Sequence, residues 1–241
     1  MKARDLFERV QVIIQDEGGT RWPIRELAMW LNDGQRAVVE QKPTASVATV
    51  DIPLVAGAEQ QLTYPYLSLL RVYGNAVTAD SDHKPRRAVT VSDRDMLQAY
   101  VLDWQDMRHA KQQAAHYLYE ETAPRQFMVY PPNDGSGALK ALVSVLPGPV
   151  DSTVDDPDDI GGYDVPLGLD DLYFNALVHY VLAMSYLKDA QFNAGAMQRV
   201  VLHAQQFGTA LGVRVSMDAF MSPNAKPGVP GVTPGVESTN G

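Results

Sequence analysis

Between Leu172 and Leu187 sixteen consecutive residues include no Asp, Glu, Lys or Arg, and that run constrains the chain more than any other feature. It lies inside DLYFNALVHYVLAMSYLKDAQ, residues 171–191. A bilayer span needs about 20 apolar residues. This run is shorter, contains Asn175, His179 and Ser185, and is flanked by Asp170-Asp171 and Lys188-Asp189. It therefore reads as a buried helix, without a membrane. Tyr173, Leu177, Tyr180, Met184 and Leu187 form one apolar face, and Phe174, Val178, Val181 and Leu182 form another. Only a narrow polar stripe through Asn175, His179 and Tyr186 remains. A helix apolar on nearly all sides is buried on nearly all sides, and each large apolar side chain gains about 1.5–3 kcal/mol on burial. The helix over 192–211, with Met197, Val200, Val201, Ala204 and Phe207 on one face, is the expected partner for one side. A second subunit is expected on the other, with Tyr173, Phe174, Leu177, Val178, Val181 and Leu182 as interface candidates; an inserted β region is the alternative cover. Asp170 and Asp171 suit the positive end of this helix and Lys188 its negative end.

The rest of the chain divides by period. Residues 2–16 and 23–41 read as helices, separated by Gly18-Gly19. From residue 44 the period falls to two. Ala45–Leu54, Leu67–Gly74 and Arg87–Val91 read as strands, with Gly57 at a turn. Ser92 to Asp95 resembles a capping box with Ser92 as N-cap, opening a helix near 93–102. His116–Glu120, Gln126–Tyr130 and Leu139–Leu146 read as a meander of antiparallel hairpins. An aspartate-rich loop over 147–165 leads back to helices. The expected fold is α+β: an antiparallel bundle made by the N- and C-terminal helices, 1–43 and 151–212, carrying an inserted antiparallel β domain, sandwich- or barrel-like, over 44–150. Residues 213–241 hold Pro223, Pro227, Pro230, Pro234 and three PGV units, and too little apolar surface to offset ordering entropy. They are expected to be a flexible arm, with a coil span of roughly 30 Å and an extended reach of about 95 Å.

Composition limits the chemistry. Net charge is −9 and no Lys/Arg cluster exceeds Lys84-Pro85-Arg86-Arg87, which argues against tight wrapping of nucleic acid. The absence of cysteine excludes disulfides, thiolate metal sites and a cysteine nucleophile. MKARDLFERV has charges where a secretory signal needs an apolar core, so no leader is expected. The five histidines show no metal-binding spacing, and His179 reads as a hydrogen-bonded bundle residue. Asp155-Asp156-Pro157-Asp158-Asp159 lacks the alternation of a calcium loop and reads as an acidic solvated surface. Tyr117, Tyr119 and Phe127 could stack bases, but without surrounding cations core packing is the better account. No phosphate loop or nucleophile motif occurs, so neither a cofactor nor an enzyme is indicated.

HYLYEETAPRQFMVYPPNDG (116–135), VPLGLDDLYFNALVHYVLAMSYLKDA (165–190) and WPIRELAMWLNDGQRAVVEQKP (22–43) together resemble the head-to-tail adaptor, connector or tail tubular proteins of tailed phages. The resemblance implies a structural virion protein at the neck, made in the host cytoplasm. Copies would form a ring, typically of twelve, beneath the portal; the ring would extend the DNA channel, pass the genome without reading sequence, and dock the tail or nozzle protein. On this reading Val213, Val215, Phe220, Met221, Pro227 and Pro230 are candidates to grip the portal or a neighbour, and Asp155, Asp156, Asp158 and Asp159 are candidates to face the channel. The alternatives are another neck or tail-terminator ring protein, and a non-catalytic nucleic-acid-binding module.

Overall fold

The computed structural model describes residues 1–76, 88–120, 122–190 and 193–213. Helices α1 (Ala3–Ile14) and α2 (Ile24–Gln41) come first. Strands β1 (Val47–Pro53), β2 (Gly57–Gln61), β3 (Tyr66–Asn75) and β4 (Thr90–Val91) follow, then the short helix α3 (Arg94–Tyr100). Strands β5 (His116–Tyr119), β6 (Gln126–Asn133) and β7 (Ala138–Val145) precede helices α4 (Phe174–Asp189) and α5 (Ala194–Leu211). The chain is thus α+β, and it divides into a helical unit (1–34, 150–166 and the chain from 171) and a sheet unit (35–149 and 167–170). Helix α2 runs through the boundary between Gly34 and Gln35.

In the helical unit α1 buries Leu6, Phe7, Val10 and Ile14 at helical spacing. It ends at Gln15, whose left-handed backbone (φ 59°) turns the chain. Asp16 then organises the turn into α2: its carboxylate accepts the backbone N–H groups of Thr20, Arg21 and Trp22 at 3.0, 2.9 and 2.8 Å. The Trp22 indole donates to the Ser185 carbonyl at 3.0 Å, tying this turn to α4. Gly34 lets α2 approach α4: a Cβ there would lie 3.0 Å from the Tyr180 ring. Helix α4 packs on α1 and on α5. Its Leu177, Val178, Val181 and Leu182 are already buried within one chain. The apolarity that suggested a second subunit on this helix is therefore accounted for by the chain itself at these four positions; Tyr173 and Phe174 remain half-buried.

The sheet unit holds two sheets, ordered β1-β7-β3 and β2-β6-β5-β4, and neither closes into a barrel. Ile52, Leu69, Val72, Leu139, Ala141 and Val143 from the first sheet meet Phe127 and Val129 from the second, so the two pack as a sandwich. The outer face of the second sheet is covered by Leu97 of α3 and Trp104, against Ala58 and Leu118. Alternation along β6 makes this possible: Phe127 and Val129 face inward, Met128 and Tyr130 outward.

Four expectations are corrected here. The last three strands are not one meander: β5 and β6 are antiparallel neighbours, but β7 pairs with β1 and β3 in the other sheet. The change of sheet falls at residues 134–137. There the Asn133 side-chain amide donates to the Lys111 and Gln112 carbonyls and accepts from Gly135 and Gly137, which fixes the loop that carries the chain out of β6. The β4–β5 pair is parallel, so the second sheet is mixed. Finally, Asp93 rather than Ser92 caps α3, accepting from Asp95 and Met96, and Gly57 opens a strand instead of standing in a turn. That strand, GAEQQ, is polar because Gln60 turns inward and satisfies the Val55–Gly57 backbone with both ends of its amide.

Candidate functional site

Two helices joined by a short link pack antiparallel, and α4 and α5, which pack on each other, are joined by the short link between Asp189 and Ala194. His179 and His203 are nearly equally distant from that link, and they meet. Their Nδ1 atoms lie 3.1 Å apart, so one ring donates its N–H and the other accepts. The contact continues on both helices. His179 stacks on His203 with centroids 5.3 Å apart, His203 on Tyr186 at 5.5 Å and 5°, and the Arg199 guanidinium sits 5.2 Å from the Tyr186 centroid. On the α1 side, Arg9 lies over the Phe174 ring at 5.6 Å.

These surroundings hold both imidazoles neutral. Burial, then the nearness of His179 and Arg199, push His203 down to about 4. Burial and then Arg9 push His179 below its ordinary value. Among the described residues no group of three or more His, Asp or Glu side chains could hold a metal ion. The pairing of His179 with His203 was legible only as hairpin symmetry, a signal that residue spacing within one helix does not carry.

The acidic loop is stitched to the helical unit rather than loose. Asp151 accepts from Asn32 at 3.0 Å, and the Asn32 oxygen accepts the Val150 N–H at 2.8 Å. Asp158 pairs with Arg25 at 3.5 Å, Asp159 caps a short 3-10 turn at Ile160–Tyr163, and Asp156 accepts the Asp158 N–H at 3.0 Å. Tyr163 anchors the end: buried against Phe7 edge-to-face at 5.2 Å, it donates to the Pro157 carbonyl. Burial, then the nearby aspartates, raise its phenol above the ordinary value. Lys2 closes the loop on Asp164 at 2.8 Å, holding that carboxyl below its usual range. Asp155 is exposed.

Of the arm candidates, Val213 is described, its N–H bonded to the Gly208 carbonyl at 2.9 Å. Val215, Phe220, Met221, Pro227 and Pro230 lie outside the described residues. Tyr117, Tyr119 and Phe127 pack on the sandwich core. On the sheet unit a groove of about 820 Å³ is lined by Glu59, Asp93, Asp95 and Glu120 with Arg94 beside them. Arg94 pairs with Glu120 at 3.4 Å and Asp93 is committed as the α3 cap. Among the described residues no helix is long and apolar enough to cross a membrane.

These elements and contacts define an α+β protein of two units. The sequence profile of the SU10 adaptor protein matches residues 1–227. The chain therefore belongs to the SU10 adaptor protein family, a family of phage head-to-tail adaptors. No curated protein matches it.

Proposed function

We propose that this chain assembles as a ring of about twelve copies beneath the portal, extends the DNA channel and offers the docking surface for the tail. The observation that carries this reading is the family match, which spans both units and the start of the arm. A net charge of −9 per copy supports it, because a channel wall of like charge discourages passing DNA from adhering. Portal and tail proteins are the partners this role requires, and the virion neck is its place. On this reading Val213, Val215, Phe220, Met221, Pro227 and Pro230 are the residues that would grip the portal or a neighbouring copy.

The test is to purify the particle and count this chain against the portal protein by quantitative mass spectrometry. A ratio near one to one is expected. Absence from the particle overturns the reading. Presence in tails that lack portal replaces it with a tail-terminator ring.

A further inference from the structure

In the helical unit almost every described cation has a carboxylate partner. Lys2 pairs with Asp164, Arg4 with Glu8, Arg21 with Asp189, Arg25 with Asp158 and Lys188 with Glu26. Arg9 and Arg199 instead lie over the rings of Phe174 and Tyr186. Arg199 is the one charged residue of α5. Each arginine also has exposed aliphatic neighbours at helical spacing: Val12 and Ile13 follow Arg9, and Leu202 follows Arg199. Arg9 lies near His179 and Arg199 near His203, and those two rings touch, so the two arginine clusters flank one ladder. Guanidinium, aromatic and aliphatic groups set together on a surface are the composition of protein–protein anchors.

We propose that this face receives the Val154–Ile160 loop of a second copy, joining copies head to tail. The inference rests on the ring reading and deepens it by naming the two surfaces that meet. Charge complementarity selects the occupant. The loop offers exposed Asp155 and Asp156 between half-exposed Val154 and Ile160, so it matches the arginine face in sign and in apolar content. It is also pre-ordered by Asp151, Asp159 and Tyr163, which lowers the entropy cost of docking. Two arginines on a chain of net charge −9 make a poor phosphate site, so duplex DNA is not the occupant. Because the two surfaces differ, the contact is heterologous, and a heterologous contact closes into a ring or runs on as a filament. It places the acidic loop at the seam between copies, not in the channel.

A charge swap in the full chain tests this. Arg9→Glu with Arg199→Glu, and separately Asp155→Arg with Asp156→Arg, are each expected to lower copies per particle by about tenfold or more. The two pairs combined are expected to restore the count to within about threefold, with melting temperatures confirming that every variant folds. The natural absence of cysteine gives a second readout. The double variant Asp155→Cys, Arg199→Cys should form a ladder of disulfide-linked multimers in oxidised particles, while neither single variant should. Folded reversals that leave the count unchanged, no rescue in the combination, or loss of DNA retention by the arginine pair alone would overturn the contact. Absence of the natural chain from particles overturns the ring reading, and the contact with it.

Discussion

His203 sits with His179 on one side and Tyr186 on the other, beyond which lies Arg199, a setting that favours a neutral ring. An unfolded histidine titrates near 6.5, whereas His203 in the folded chain titrates at about 4. Between those values the unfolded state binds more protons, so stability present above pH 6.5 is lost as pH falls toward 4. After discounting for partial exposure, the loss from His203 is about 1–2 kcal/mol. A melting series from pH 7 to 4.5 should show it, and His203→Phe, which keeps a ring in the ladder, should flatten the slope. An unchanged slope in that variant would remove His203 as its source. Asp16 acts in the same unit. Burial works to raise its carboxyl, but three backbone N–H groups outweigh that and hold it below its ordinary value. Its contribution is present above the unfolded carboxylate pKa and is lost as pH falls below it. Asp16→Ala should cost about 1–2 kcal/mol in urea unfolding at pH 7, because three turn donors lose their acceptor.

At the scale of elements, the strand-to-strand turns carry the sharpest constraint. A Cβ on Gly137 would fall 2.2 Å from the Gln112 carbonyl oxygen and 2.3 Å from the Asn133 amide. Neither can retreat, since each is bonded to the other. Gly137→Ala should therefore cost about 2–4 kcal/mol by breaking a buried, fully satisfied amide, and the loss should appear in chemical unfolding as a lowered midpoint. Equal midpoints for variant and natural chain would show that the turn can rearrange. The helices and most strands were legible in the sequence because their apolar periods are set locally, as Leu6, Val10 and Ile14 or Phe127 and Val129 show. What was not legible depended on distant partners. Nothing in GAEQQ announces a strand until Gln60 finds the Val55–Gly57 backbone, and nothing local sends β7 to the opposite sheet from β6. Helix α4 shows the same limit at larger size: its pattern reported burial on nearly every side but not that its own chain supplies the cover at Leu177, Val178, Val181 and Leu182.

At the scale of the whole molecule, the C-terminal arm divides at a defined point. The family match runs through Pro227, which begins the first PGV unit, while the remaining PGV units lie beyond it. Residues 214–227 belong to what adaptors of this family share, and they contain Val215, Phe220 and Met221, side chains large enough to anchor in an apolar pocket. Residues 228–241 offer valines spaced by Pro-Gly, with little area to bury and a high cost of ordering. If the arm tethers copies to the neck, tethering resides in the first part. A chain ending at Pro227 should then enter particles at the same count as the full chain. A chain ending at Val213 should enter at about a tenth of that count or less, since linking a second contact commonly raises avidity by 10²–10⁴. Equal counts for all three chains would show that the two units alone hold the protein in the neck. A loss already complete at Pro227 would move the tether into the PGV units.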